Sequence, residues 1–262
     1  MNQAGKWRAA ALIAVASLLG LIALAWPLIA TSDSLQTWNS LSAPLLSAAL
    51  LPFTLGLIIS DIVSARFSTK TLAIVGILTA IAVAVRPLGA GVAGIEPIWL
   101  IIIVAGRVLG SSIGFIIGST SIIASAFITG GVGPWLPYQM MLAAWIGMAA
   151  GWLPQTRGKS EVWMLAVYGA AVSFIFGWMM NLWFWPTAIG LQPSISFDIT
   201  DSVMQRIEAW VRFSLTTSLG FDIPRAIFTA ALLALGSRPF AAALRRATRN
   251  VVIDASSDST IA

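Results

Sequence analysis

The 262-residue chain has no cysteine, no histidine and only two tyrosines, and just 10% of its residues are charged. Without cysteine there are no disulfides and no thiolate nucleophiles or ligands. Without histidine the usual zinc sites, haem axial histidines and the commonest general base near neutral pH are also gone. Carboxylates, amides, hydroxyls and aromatic faces remain. No Gly-rich phosphate loop ending in Gly-Lys-Ser or Gly-Lys-Thr occurs, so the chain does not hydrolyse ATP by that machinery. Charge is also too sparse to coat a soluble globule. At 58% hydrophobic residues and a mean hydropathy of +0.89, the composition predicts a polytopic membrane protein. The net charge of +5 does not argue for nucleic acid, because the basic residues punctuate the ends of apolar segments and form no stripe.

Long apolar runs are abundant. A helix needs about 20 apolar residues to cross about 30 Å of hydrocarbon. Candidate spans are Ala9–Ala30, Pro44–Ser60, Lys70–Val85, Leu136–Leu153, Val162–Trp185 and Ile223–Leu244. Lys6, Trp7 and Arg8 ahead of the first run resemble a signal peptide, but the run is long for one and lacks a convincing cleavage site, so it reads as a retained span. Taken as one helix, Ile98–Thr129 would be about 48 Å long, too long for one crossing. Gly106, Arg107, Gly110, Ser111 and Ser112 offer a break, dividing it into Ile98–Gly106 and Ile113–Ile128.

Charge chooses the count, because Lys and Arg accumulate on the cytoplasmic side. Eight spans with both termini cytoplasmic put Lys6, Arg8, Arg66, Lys70, Arg107, Arg157, Lys159, Arg238, Arg245, Arg246 and Arg249 inside. Seven spans would divide the basic residues evenly and strand Arg107 in the bilayer. The eight-span arrangement places Thr31–Ser42, Arg86–Pro97, Gly130–Gln139 and Pro186–Asp222 outside. In the last of these, Val203, Ile207, Val211 and Leu215 recur at helical spacing with Arg206, Glu208 and Arg212 between them, which predicts an amphipathic helix over the outer face. An exposed interfacial helix without function is the competing reading.

No catalytic constellation is visible. Asp33, Asp61, Glu96, Glu161, Asp198, Asp201, Glu208 and Asp222 fall at span ends or in loops, which argues against a mid-membrane proton carrier. The segment Gly130–Gln139, Gly-Gly-Val-Gly-Pro-Trp-Leu-Pro-Tyr-Gln, reads as ten irregular residues between two spans. With Trp99, Trp135, Tyr138, Gln139, Asn181, Trp183, Trp185, Asp222 and Arg225 it gathers aromatic faces and hydrogen-bonding groups at the outer face, where they are candidates to line a pocket. Interfacial anchoring is the ordinary role of each tryptophan, and an intrahelical pair is the simple explanation of Asp222 and Arg225. Gly76, Ala80 and Ala84 form one stripe of small residues on the third span, open to a partner helix or to internal packing; Ala10 and Ala14, and Gly106, Gly110, Gly114 and Gly118, form similar stripes.

From Thr69 to Arg249 the chain resembles the substrate-binding S component of an energy-coupling factor (ECF) vitamin transporter. The resemblance is carried by Ala105-Gly-Arg-Val-Leu-Gly110, the Gly114 to Gly118 run, Thr129 to Gln139, and Thr217-Ser-Leu-Gly-Phe-Asp-Ile-Pro-Arg225 before a basic-tailed last span. It implies an all-α fold of six helices over 67–250, preceded by a two-helix extension over 1–66 and followed by a disordered cytoplasmic tail over 251–262. The implied protein is a non-enzymatic, multi-pass subunit of a bacterial plasma membrane. Its outer pocket would hold a vitamin, cobalamin or a corrinoid slightly favoured, with thiamine precursors, riboflavin, biotin and queuosine precursors also open. Trp99, Trp135, Tyr138, Gln139, Asn181, Trp185, Asp222 and Arg225 would bind the solute. Gly76, Ala80 and Ala84 would contact a transmembrane coupling subunit driven by two cytoplasmic ATPases. Membrane lipid is the other expected contact; no cofactor, metal or nucleic acid is. The two extra spans depart from the family pattern, with Trp38 and Asn39 in the first outer loop a possible shield. A self-sufficient secondary carrier is the alternative function, and an intramembrane enzyme a third.

Overall fold

The computed structural model describes residues 3–30, 69–89 and 94–257 and isolated positions between 52 and 60, with side chains described within 11–248. The expected span Pro44–Ser60, the loop with Trp38 and Asn39, and the end of the tail lie outside most or all of these residues. In chain order the helices are α1 (Gln3–Ile29), α2 (Thr69–Val85), α3 (Ile98–Leu109), α4 (Ser111–Thr129), α5 (Leu136–Ala150), α6 (Lys159–Phe184), α7 (Val203–Thr217) and α8 (Leu219–Ser257). There is no strand among the described residues. α8 continues into the stretch expected as a disordered tail.

Among the described residues five segments are long and apolar enough to cross a membrane: Ala11–Ile29, Thr69–Gly89, Ser111–Thr129, Lys159–Thr187 and Leu219–Thr248. Their exposed sides carry large apolar residues such as Leu18, Ile22, Ile77, Val167, Ile227 and Leu235, which water would reject and lipid accepts. α3 and α5, at 12 and 15 residues, are shorter and are the most enclosed helices of the bundle. Every residue of α3 from Ile98 to Arg107 except Leu100 is buried.

Glycines explain how short helices occupy the centre. The chain ends α3 at Leu109, turns at Gly110 with φ +98°, and starts α4 at Ser111, at the break expected from sequence. This is a reversal rather than a kink, because a Cβ on Gly114 would press against the Cα of Gly106, eight residues earlier. α5 enters the resulting notch antiparallel to α4. A side chain on Gly114 would strike the carbonyl of Gly147, and one on Gly118 the carbonyl of Ala143. Backbones this close exchange dispersion contacts that any larger residue would prevent. Of the expected stripe, Gly106, Gly114 and Gly118 are therefore internal packing against α5, whereas Gly110 forms the turn and has open space. The stripe Gly76, Ala80, Ala84 is not internal packing: all three residues are exposed, and a Cβ on Gly76 would meet nothing within 4 Å.

An ion cluster closes one end of the bundle. Arg107, with its side chain 0% exposed, bonds Glu161 at 3.0 Å and the carbonyls of Leu153 and Thr156, while Arg245 reaches the same carboxylate oxygen at 2.5 Å. It joins α3, α6, α8 and the turn after α5. Arg107 and Arg245, which charge counting assigns to one side, meet at one end of the bundle.

The other end is capped by α7. A Ser202–Gln205 capping box starts the helix, as the exchange of side-chain and backbone bonds between those residues shows. Its facing differs from the expected one. Val203 and Leu215 are exposed, whereas Arg206, Ala209, Phe213 and Ser214 are buried against the bundle. Arg206 decides the rotation: its guanidinium donates to the carbonyls of Pro27 and Ala30 at 2.9 and 2.8 Å, neutralising the carbonyl end of α1. A hydrophobic-periodicity reading assigns arginine to solvent and misses a helix end that needs donors.

Candidate solute-binding site

The expected irregular loop is shorter than ten residues. Gly130 adopts the left-handed conformation (φ +67°) and ends α4, the Gly131 N–H returns to the Ala126 carbonyl at 2.9 Å, and α5 already begins at Leu136. Pro137 lies in the first turn, where its missing N–H costs nothing. The loop is also tied to itself and to α6. Trp135 Nε1 donates to the Gly131 carbonyl at 3.1 Å, and its ring meets Trp183 edge to face at 5.8 Å. Tyr138 is buried and leans on the same Trp183 ring.

Two adjoining cavities open at this end of the bundle. The larger, about 480 Å³, lies between α6, α7 and the start of α8. Phe176, Phe184, Phe213 and Phe221 give it aromatic walls, and Asn181, Asp222 and Arg225 supply polar ones. The smaller, about 240 Å³, extends toward α2 and α4 and is bordered by Arg86, Trp99 and Thr129. Glu96, Gln139 and Phe176 border both.

The polar wall is built around Arg225, with a second group around Arg86 beside it. Arg225 Nε bonds Glu96 Oε1 at 3.0 Å, and Arg225 Nη1 bonds Asp222 Oδ1 at 2.7 Å. The Ser218 hydroxyl donates to Asp222 Oδ2 at 2.7 Å, and Trp99 Nε1 donates to Glu96 Oε2 at 2.5 Å. The Arg225 guanidinium also stands 5.6 Å from the centre of the Phe176 ring, which in turn meets Trp99 edge to face at 4.9 Å. Arg86 donates to the Ile122 carbonyl, the Ser125 hydroxyl and, at 3.3 Å, Gln139 Oε1. Asn181 Nδ2 donates to Ser214 Oγ at 3.0 Å, joining α6 to α7 across the larger cavity.

Local backbone choices make the network possible. Asp222 fills the space beside Gly177 where any Cβ would collide with its carboxylate. Gly94, at φ +79°, lets the 94–97 turn lie against the backbone of Pro224 and Arg225, bringing Glu96 to a residue 129 positions later. The intrahelical Asp222–Arg225 pair expected from spacing is present, and Glu96 is a second partner that spacing does not reveal.

Of the eight pocket residues expected from sequence, Gln139, Asn181, Asp222 and Arg225 border the larger cavity and Trp99 the smaller. Trp135 and Tyr138 border neither; they pack under the loop. Trp185 also borders neither cavity. It is fully buried, donates to the Ile195 carbonyl at 2.8 Å and abuts Phe197, so it pins the 186–202 connection beneath α7. Glu96 and Arg86 were missed because each sits in a loop or just past a helix end, where sequence reading assigns charges to water. The four phenylalanines were missed because single phenylalanines in apolar helices carry no distinguishing pattern.

Among the described residues no group of three acidic side chains is arranged to hold a metal ion. Searches of family models, curated proteins and solved structures find no match to this chain.

Proposed function

We propose that the chain is the solute-capturing membrane subunit of an ECF-type importer, non-enzymatic itself, and that it binds a vitamin or related micronutrient at the outer face. The observation that carries this reading is the larger cavity: aromatic walls, two amides and a partly buried ion network at one end of a lipid-facing bundle, a combination suited to holding a heterocycle rather than to passing ions. The proposal retains eight spans in a bacterial plasma membrane with both termini cytoplasmic, so the end bearing the cavities faces outward. The exposed stripe Gly76, Ala80 and Ala84 is the surface for a transmembrane coupling subunit, which two cytoplasmic ATPases would drive.

The test is reconstitution. Purified chain in proteoliposomes should bind solute without accumulating it, and uptake should require the coupling module and ATP. One observation favours a second reading: Glu96 and Asp222 are carboxylates enclosed near a membrane end, the kind of group an ion-coupled carrier uses. A self-sufficient secondary carrier would transport in the same vesicles without ATPases, driven by an ion gradient, and that result would replace the importer.

A further inference from the structure

The balance of charge around the two cavities identifies the kind of solute, and the inference rests on the reading of the chain as a solute-binding subunit. Among the described residues four ionisable side chains border the cavities: Arg86 and Arg225, Glu96 and Asp222. Two positive charges face two negative ones. Arg225 is shared between the carboxylates, and Arg86 is held by three neutral acceptors with no carboxylate in ion-pair distance among the described residues. Among the described residues the four charges sum to zero before any solute arrives. A solute with net charge would add an uncompensated charge to a partly enclosed site walled by phenylalanine, or would have to pull an existing pair apart, and both are unfavourable.

Shape narrows the class further. Four phenylalanine side chains along the larger cavity favour a flat ring system, while Gln139, Asn181, Glu96 and Arg225 offer donors and acceptors to one edge. Volumes of about 480 and 240 Å³ lie in or below the range of drug-sized ligand sites, about 300–1,000 Å³, and fall short of a corrinoid macrocycle with its nucleotide.

We infer that the solute is a planar heterocycle without net charge at neutral pH, smaller than a corrinoid, and that Glu96 determines this charge preference. Glu96 borders both cavities and is the more exposed carboxylate of the pair, 31% against 1% for Asp222. It is the one that a solute edge can reach.

The experiment compares wild type, Glu96→Gln and Arg86→Gln, purified in detergent, by thermal shift and equilibrium dialysis. The probes are uncharged rings (riboflavin, lumichrome and 6-hydroxymethylpterin), cationic thiamine, anionic biotin and cyanocobalamin. Wild type should bind at least one uncharged ring about tenfold or more tightly than thiamine, biotin or cyanocobalamin. Glu96→Gln keeps an acceptor for Trp99 and leaves Arg225 on Asp222, so it should fold. It should shift the ratio of biotin to uncharged-ring affinity about tenfold toward biotin. Arg86→Gln should shift it toward thiamine. Tightest binding of a charged probe or of cyanocobalamin overturns the inference, and so does a ratio unmoved in Glu96→Gln, whatever Arg86→Gln does. Native mass spectrometry of protein from its own membrane separates the two levels. A retained charged vitamin or corrinoid sinks the inference and sustains the binding subunit, whereas no retained molecule together with no probe binding removes both.

Discussion

Arg225 serves as a junction. It is the shared partner of two carboxylates from distant parts of the chain, and it stacks over Phe176, so its removal leaves Glu96 and Asp222 facing each other's charge without a mediator. Breaking a buried pair from one side costs about 3–5 kcal/mol. Arg225→Ala should therefore abolish solute binding and also lower the unfolding temperature in detergent. Asn181→Ala is a milder change: it removes the donor to Ser214 and one amide from the cavity wall. A loss of about 1 kcal/mol, or five- to tenfold in affinity, is expected with normal membrane insertion, and isothermal titration would read it. Trp135→Ala should act differently from Asn181→Ala, because Trp135 braces the loop from behind. Its effect should appear as faster proteolysis of the loop, with a smaller change in affinity.

The helices divide into those defined by close backbone contact and those defined by what they present to lipid. In the α4–α5 pair, Gly114 and Gly147 leave no room for a methyl group, whereas Gly76 on α2 has open space. The same substitution should therefore have opposite signs. Gly114→Ala should destabilise by about 1–3 kcal/mol through overpacking, and Gly76→Ala should be neutral or stabilising by up to about 1 kcal/mol from helix propensity. Thermal unfolding of the two variants in one detergent checks both. Ala80→Leu, on the exposed stripe, should leave folding and solute binding intact. In the proposed importer it should block uptake by obstructing the coupling subunit; equal loss of binding and uptake would instead show that α2 is packed within the chain.

For the molecule as a whole, the two ends are held by separate ion clusters: Arg107, Glu161 and Arg245 at one, and Glu96, Asp222 and Arg225 at the other. Arg107→Ala should lower stability by about 3–5 kcal/mol while leaving the affinity of folded protein unchanged, because the perturbation lies at the end away from the cavities. Sidedness is testable with the chain's own lack of cysteine. Ile189→Cys, at 96% exposure, should react with a membrane-impermeant maleimide on intact cells, and Arg157→Cys only after permeabilisation. The reverse pattern would place the end that bears the cavities on the cytoplasmic side.

Much of this architecture was legible in the amino acids. Apolar content and run length dictate a helical membrane protein, because hydrocarbon permits no unsatisfied backbone, and the glycine and serine residues near Gly110 mark where one over-long run must turn. Four polar residues of the larger cavity, Gln139, Asn181, Asp222 and Arg225, were visible as groups that a span end must satisfy. The tertiary structure alone decided which tryptophans line cavities and which brace them, which small-residue stripe is internal, which face α7 turns inward, and that Glu96 meets Arg225. Those outcomes depend on contacts between residues far apart in the chain, and neither periodicity nor charge spacing along one segment contains the position of the segment it will meet.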